Sequence, residues 1–442
     1  MNISATNRLP NDVGTGERYR VWIMALFLGL LIGANNLIKI LRDSVFLGHH
    51  SVSELPYLYI MVAVLAGVII GTYTRYTANV SITRLILSTN AIILSNLVFF
   101  WIVLTYFNAD WSHYAFYIWS AMATVIAVAQ VWTLANSIFT PEEGKRSFGF
   151  IAAGGTVGGV AASFGANWSI HLSIESNHLL WIVAGIYMAA AVLVIWAEGR
   201  LIGTVHEAEI HSPNTAETND RSGLGELLFG SSYLKAIAVI ILVSVIVSTL
   251  IDFQFKTGAK QAYSSTKELA NFFSSYYGWL SVATFFVQIL LTSQTLKKLG
   301  LAASLYVTPV ALLTGSIVII TWPGLPAATV TRMADAILRN SVHRSGMEVI
   351  YMAVPVTVMK AIKTFLDVVV ERIGDASAGF IILLFSLFAT EKYIAYVHFI
   401  CLGLIFTWFG FNRFLQKECP QAVRKRMPFE ETSPRTGWLG CD

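Results

Sequence analysis

Apolar runs of roughly twenty residues, the length an α-helix needs to cross a lipid bilayer, recur along the whole chain. They fall at 21–40, 57–76, 85–107, 113–138, 147–168, 179–198, 233–255, 271–294, 300–322, 325–343, 366–390 and 393–413. Inside hydrocarbon every backbone N–H and C=O must find a partner within the protein, so runs of this kind fold as helices. The pattern predicts an all-α polytopic membrane protein with twelve transmembrane helices. Composition agrees: of 442 residues 55% are hydrophobic and only 13% charged, whereas a soluble chain carries about twice that charged share.

The longest polar interruption, about 200–232, is rich in Ser, Thr, Asn, Gly and acids and has no apolar period, as expected of a flexible linker. It divides the chain into an N-terminal six-helix bundle (1–198), a cytoplasmic linker (199–232), a C-terminal six-helix bundle (233–414) and a basic cytoplasmic tail (415–442). A faint repeat supports two related halves: Leu134 to Ile138 reads LANSI and Leu338 to Val342 reads LRNSV. With the N-terminus inside, the inner connections carry Arg18, Arg20, Arg75, Arg84, Lys145, Arg146, Lys297, Lys298 and Arg344. The outer ones carry Arg42, Lys256, Lys260, Lys267 and Lys392. This asymmetry places both termini in the cytoplasm of a multi-pass inner (plasma) membrane protein embedded in lipid. The first twenty residues are polar and include Asp12 and Glu17, so no cleavable signal is expected.

Several functions are disfavoured. Net charge is +4 and spread over connections, with no basic face for nucleic acid. Cys401, Cys419 and Cys441 lack metal-ligand spacing and a disulfide framework. The run GGTVGG lies inside an apolar span with no strand before it, so it is not a dinucleotide fingerprint. Walker, zincin and nucleophile-elbow motifs are missing, so the reading is a non-enzyme without cofactor.

Charges within the spans carry the chemistry, because each costs roughly 2.5–3.5 kcal/mol at mid-membrane unless it meets protein or water. Lys39, Arg42 and Asp43 close the first span; snorkelling to the surface is the alternative. Asp252, Lys256 and Lys260 close the seventh, where a helix-end salt bridge is the alternative. Arg332, Asp335 and Arg339 share the tenth, where an internally neutralised cluster would look the same. Lys363, Asp367, Glu371 and Asp375 recur every four residues, placing them on one helix face that lines either a wet cavity or the membrane surface. Gly154, Gly158, Ala162 and Ala166 form a small-residue stripe suited to close helix packing.

Four patches resemble the bacterial and plastid ATP/ADP translocases, a major-facilitator-like family of nucleotide transporters. Lys39, Arg42, Asp43, Glu54 and Pro56 follow its Arg-x-x-Lys-Asp-x-Leu segment and the acid and proline after it. Trp132, Ala135, Asn136, Ile138, Glu143, Lys145 and Arg146 follow its Trp-x-x-Ala-Asn and Glu-x-Lys-Lys/Arg segments. Asp252, Lys256 and Lys260 follow Glu-x-x-x-Lys-x-x-x-Lys; Ser341, Ser345, Glu348, Tyr351, Lys363 and Asp367 follow its Glu-Met-x-Tyr and Lys-x-x-x-Asp region. The resemblance implies a secondary transporter moving a nucleotide or related small anion by alternating access, ATP against ADP if the family activity is retained. It implies that Arg42 replaces a nucleotide-binding lysine, that Asp252 replaces a functional glutamate, and that Lys363 supplies another cation. One departure bears on the exchange activity: the family's acid about twelve residues before Trp132 is Ser120 here, and no acid lies within 111–141. A proton-coupled carrier of a non-nucleotide organic anion, or a membrane receptor keeping the fold, remain the alternatives.

Overall fold

The computed structural model describes residues 15–77, 81–107, 109–172, 175–201, 231–290, 292–351, 363, 365–388 and 393–426. Helix follows helix: α1 (Thr15–His49), α2 (Leu55–Thr77), α3 (Ile82–Ile102), α4 (Asp110–Ile138), α5 (Pro141–His171) and α6 (Leu179–Leu201). After the linker come α7 (Ser232–Ala262), α8 (Thr266–Leu290), α9 (Thr292–Thr321), α10 (Leu325–Leu338), α11 (Arg344–Tyr351), α12 (Glu371–Phe388) and α13 (Tyr393–Arg426). A π turn, Arg339–His343, joins α10 to α11 as one stretch, and a second, Leu366–Val370, leads into α12. Counted so, twelve helical stretches lie over the twelve apolar runs, and no strand occurs among the described residues.

Nine of these helices are long and apolar enough to cross a membrane. The stretches that fall short are those of α8, α10, which has only 14 residues, and α12. The expected charge stripe is also re-phased: the π turn Leu366–Val370 separates Lys363 from Glu371 and Asp375. The two copies of the short repeat differ as well, since LANSI closes α4 as regular helix while LRNSV runs into the π turn. Most of the expected linker and tail lies outside the described residues.

The chain forms two compact units. The first holds Met1–Phe46, Tyr73–Ser212 and Ala270–Val282; the second holds Leu47–Thr72, Pro213–Leu269 and Ala283–Asp442.

In the first unit, glycine lets α1 and α5 approach to backbone contact. A Cβ at Gly154 would stand 2.6 Å from the Ala25 carbonyl oxygen, and one at Gly29 would stand 2.9 Å from that of Gly154. The small-residue stripe therefore serves packing, which in lipid rests on close approach rather than on hydrophobic burial. Where α5 begins, Thr140 and Glu143 form a reciprocal capping box with Pro141 in the first turn. Arg20 of α1 clamps this start, donating to Glu143 at 2.7 Å and to the Ile138 carbonyl at 3.0 Å.

In the second unit, α7 is the central element, packed by α10, α12 and α13. Its side chains are buried on nearly every face, from Ile237 and Ile240 to Leu250, Ile251 and Phe253. Alongside, Pro309 interrupts α9 and cannot donate to the Leu305 carbonyl one turn back. Fully buried Asn412 of α13 supplies the missing donor, its Nδ2 lying 3.0 Å from the Leu305 oxygen.

Two predictions follow from these contacts. Asn412→Leu strands that carbonyl and should destabilise the purified protein by about 1–3 kcal/mol. Thermal unfolding in detergent checks this, and Pro309→Ala, which restores the backbone donor, should reduce the loss. At the α5 start, partial burial pushes the Glu143 carboxyl up, but the Thr140 N–H and Arg20 pull it further down, so it titrates below its ordinary value of 4.5. Its folded pKa is depressed, so the stabilisation is full above that value and disappears as pH falls through the folded one. Glu143→Gln should flatten this acid limb of the stability–pH curve.

Candidate functional site

Among the described residues, each unit holds a cluster of charged side chains within its helices. In the first unit, Asp43 of α1 is fully buried and accepts two N–H groups from one edge of a guanidinium. Arg42 Nε lies 2.9 Å from Oδ1 and Nη2 lies 3.1 Å from Oδ2. Neighbouring residues on a helix do not face one another, so Arg42 folds back to make this fork. Its guanidinium then rests over the Tyr117 ring at 4.6 Å, a contact worth up to about 2 kcal/mol when desolvated. Tyr277 of α8 adds a hydroxyl donor to Asp43 at 3.1 Å. Arg42 is only 15% exposed, which does not fit snorkelling. Half-buried Lys39 lies one turn earlier. A further turn back, the Asn36 amide reaches Ser163 and Ser281 at 3.2 and 3.3 Å.

The second cluster joins α7 to α10. Along α7, Ser244, Ser248, Asp252 and Lys256 recur every four residues and so share one face. Along α10 and the π turn, Arg332, Asp335 and Arg339 recur at three and four. The helices run antiparallel and the rows interlock. Arg339 donates to the Ser244 carbonyl at 2.6 Å. Ser248 donates to Asp335, which also receives Arg332 at 2.6 Å. Arg332 reaches across to Asp252 at 3.1 Å.

Asp252 is the hub. Besides Arg332 it binds Lys256 at 2.8 Å and accepts the Tyr59 hydroxyl of α2 at 2.9 Å. Lys256 is only 2% exposed and sits 5.5 Å from the Tyr59 ring. The ladder therefore contains both the helix-end salt bridge and the neutralised cluster that the spacing allowed. It adds contacts between helices that spacing alone did not show.

Beside the ladder opens a cavity of about 270 Å³. Ile241, Val245 and Met347 give it an apolar wall, while Arg339, Asn340, His343, Arg344, Tyr351, Asp367 and Glu371 make the rest polar. Tyr351 organises one side: its ring lies 5.6 Å from the Lys363 ammonium and its hydroxyl 3.5 Å from Asp367. Farther along, Asp375 accepts from Thr249 of α7 at 2.9 Å and pairs with Arg372 at 3.0 Å.

The structure thus groups Arg42 and Asp43 in one cluster, with Lys39 on the preceding turn of the same helix. It joins Asp252, Lys256, Arg332 and Asp335 in the other, with Asp367 lining the cavity and Lys363 beside Tyr351. Asn136 is exposed at the end of α4. Arg146 is 59% exposed and pairs with Glu17 at 3.4 Å, a surface contact. Lys145 and Glu348 lie on α5 and α11, but their side chains are outside the described residues. Ser120, where the resembled family has an acid, is buried and donates to the Tyr117 carbonyl of its own helix at 2.7 Å. Sequence reasoning placed Arg339 and Glu371 in the charged groups of their spans but did not assign Asn340, His343, Arg344 or Ser244 to the site. The four-residue recurrence of Ser244, Ser248, Asp252 and Lys256 was the available signal.

Asp252→Asn leaves Lys256 and Arg332 short of a buried counter-charge. It should cost about 3–5 kcal/mol, as expected when one member of a buried pair is removed. Tyr59→Phe removes one neutral donor to a carboxylate and should cost about 1–3 kcal/mol. Unfolding midpoints of the two variants in detergent provide the comparison.

Comparison with known proteins places this architecture. Residues 57–363 match the family model described as TLC ATP/ADP transporter. Among relatives, ADP,ATP carrier protein 1 of Chlamydia muridarum is 21% identical over 226 residues, covering 47% of this chain and 42% of the relative. ADP,ATP carrier protein 2 of Chlamydia pneumoniae is 22% identical over 228 residues, covering 46% and 42%. The chain thus spans less than half the length of these relatives. Among solved structures, a mutant of the nucleoside transporter NupG gives a TM-score of 0.61 at 13% identity, over 89% of this chain and 99% of that one. A bacterial homolog of the human lysosomal transporter Spinster, inward-facing and unoccupied, gives 0.55 at 13%, over 95% and 99%. The fucose:proton symporter FucP of E. coli gives 0.52 at 14%, over 90% and 99%. At these identities the structural likeness establishes the fold, that of the major-facilitator transporters. The apolar helices and the family match together make this a multi-pass membrane protein, and the chain belongs to the TLC ATP/ADP transporter family.

Proposed function

We propose that this chain carries a nucleotide, or a closely related phosphorylated anion, across the inner (plasma) membrane by alternating access, exchanging ATP for ADP. The observation that carries the reading is the charge-balanced ladder of Asp252, Lys256, Arg332 and Asp335 within the second unit. Buried cations already held by carboxylates can turn to an arriving polyanion and return to the carboxylates when it leaves, so the empty site keeps no unpaired positive charge in low dielectric. Arg42 in the fork with Asp43, and Lys363 beside Tyr351, offer cations of the same kind. In this reading Lys39, Asn136, Lys145, Arg146, Glu348 and Asp367 complete the substrate path, the two bundles of 1–198 and 233–414 move about it, and both termini face the cytoplasm.

Ser120 supports a second reading. With its hydroxyl committed to its own helix, α4 offers no carboxylate at the position that carries one in the resembled exchangers. A proton-coupled carrier of a smaller organic anion fits that change.

Labelled ATP and ADP presented to cells expressing the chain, with vector-only controls, test the proposal. Saturable uptake competed by unlabelled nucleotide is expected. Arg42→Gln and Lys363→Gln should each lower it about tenfold or more at unchanged membrane abundance, as loss of a charge-assisted contact predicts. Unchanged uptake in both variants would remove these residues from the site. No uptake by membrane-inserted protein would turn the reading towards the proton-coupled carrier.

A further inference from the structure

α13 turns one side to its neighbours in the second unit and leaves the other uncovered. Cys401, Ile405, Trp408 and Asn412 are buried. On the opposite side Phe399, Gly403, Phe406, Gly410, Arg413 and Lys417 recur at intervals of three and four, all exposed. The row is apolar for most of its length, and the Thr407 hydroxyl beside it is turned back onto the Gly403 carbonyl at 3.0 Å. A Cβ at Gly403 or at Gly410 would meet nothing within 4 Å. Each glycine therefore leaves a notch, the first between Phe399 and Phe406, the second between Phe406 and Phe414.

Charge enters at one end of this row. The part of α13 apolar enough to cross a membrane ends at Glu418, and the helix runs on to Arg426. Arg413 and Lys417 thus stand one turn apart in the last turns of the crossing. Neither makes a hydrogen bond or an ion pair among the described residues. By contrast, Arg20 and Arg146 of the first unit are held by Glu143 and Glu17. Glu418 is half-buried and lies off the row. Tyr306 of α9 marks the same depth independently: its ring stacks on Phe409 at 5.7 Å and its hydroxyl lies 3.5 Å from Gln416 Oε1. An amphipathic ring of this kind belongs at the level of the lipid headgroups.

We propose that this face of α13 binds an anionic phospholipid, with the headgroup phosphate at Arg413 and Lys417 and an acyl chain along the notches at Gly410 and Gly403. Basic side chains without a protein counter-charge, set at headgroup depth, select lipids of net negative charge. A zwitterionic headgroup brings its own cation to the same place and gains less. Long cationic side chains reach towards any headgroup layer; the notches in the turns before Arg413 add contact that a free phosphate cannot use. The proposal does not depend on what the chain transports.

The test titrates the purified full chain in detergent with phosphatidylglycerol, with phosphatidylcholine of the same acyl chains and with glycerol phosphate. The unfolding midpoint is followed, since a ligand that binds the folded state raises it. Phosphatidylglycerol should stabilise the wild type at lower concentration than phosphatidylcholine, and the difference should shrink as salt screens these exposed charges. Arg413→Gln and Lys417→Gln should each raise the half-saturating phosphatidylglycerol concentration about fivefold, the effect of one cation at an anionic lipid surface. The phosphatidylcholine response should stay as it is. Lys267→Gln, which removes an exposed cation from the first turn of α8, should change neither response. Equal response of the wild type to the two lipids, or a phosphatidylglycerol preference that survives in the double variant, overturns the proposal. An equal loss in Lys267→Gln reduces the effect to net charge and overturns it too. Stabilisation by glycerol phosphate that Arg413→Gln weakens as much makes free phosphate the ligand, against the proposal. A wild-type dimer in detergent that the double variant separates puts a second copy on this face instead of lipid, and overturns it as well.

Discussion

Asp252 holds three donors at once, from Lys256 on its own helix, Arg332 on α10 and Tyr59 on α2. The second unit is arranged around that arrangement. In lipid, apolar side chains gain little by leaving the tails for one another, so helices are specified by close packing and by polar contacts that must be met. The ladder from Ser244 to Lys256 fixes both the face of α7 that meets α10 and the register in which it does so. A one-residue slip along the helix would rotate that row by about 100° and strand several charges.

The same physics explains how the unit tolerates its irregularities. Pro309 frees a carbonyl in α9, and Asn412 answers it from α13. The π turn at Arg339–His343 interrupts the α10 stretch, and Arg339 answers the Ser244 carbonyl on α7. Backbone departures at membrane depth persist where side chains of neighbouring helices satisfy them. The first unit uses another device: glycine brings α1 against α5 backbone to backbone, and a fork of Arg42 on Asp43 pairs a buried charge.

Much of this was legible in the sequence. Long apolar runs determine helices because the bilayer allows the backbone few alternatives, and among the described residues helix lies over each expected run. The charged groups at 39–43, 252–256 and 332–339 stood out for the same reason, since charge in hydrocarbon is expensive. Their partners did not. Spacing shows which residues share a helix face, but not that Arg332 crosses to Asp252 or that Arg42 turns back to its neighbour Asp43. Nor does it show a π turn, so from spacing alone the even stripe from Lys363 to Asp375 fits one regular helix. Arg146, prominent in a matched motif, is a surface partner of Glu17. His343 escapes sequence reasoning because a lone histidine among other polar residues carries no pattern of its own.

The central claim is that balanced buried ion pairs exchange partners with a nucleotide. Reconstitution tests it most directly: the purified chain in proteoliposomes, loaded with ADP or left without nucleotide, given labelled ATP outside. Exchange predicts ATP entry that depends on internal ADP and needs no proton gradient. ATP entry that ignores internal nucleotide, or no entry at all into ADP-loaded vesicles holding folded protein, would contradict it.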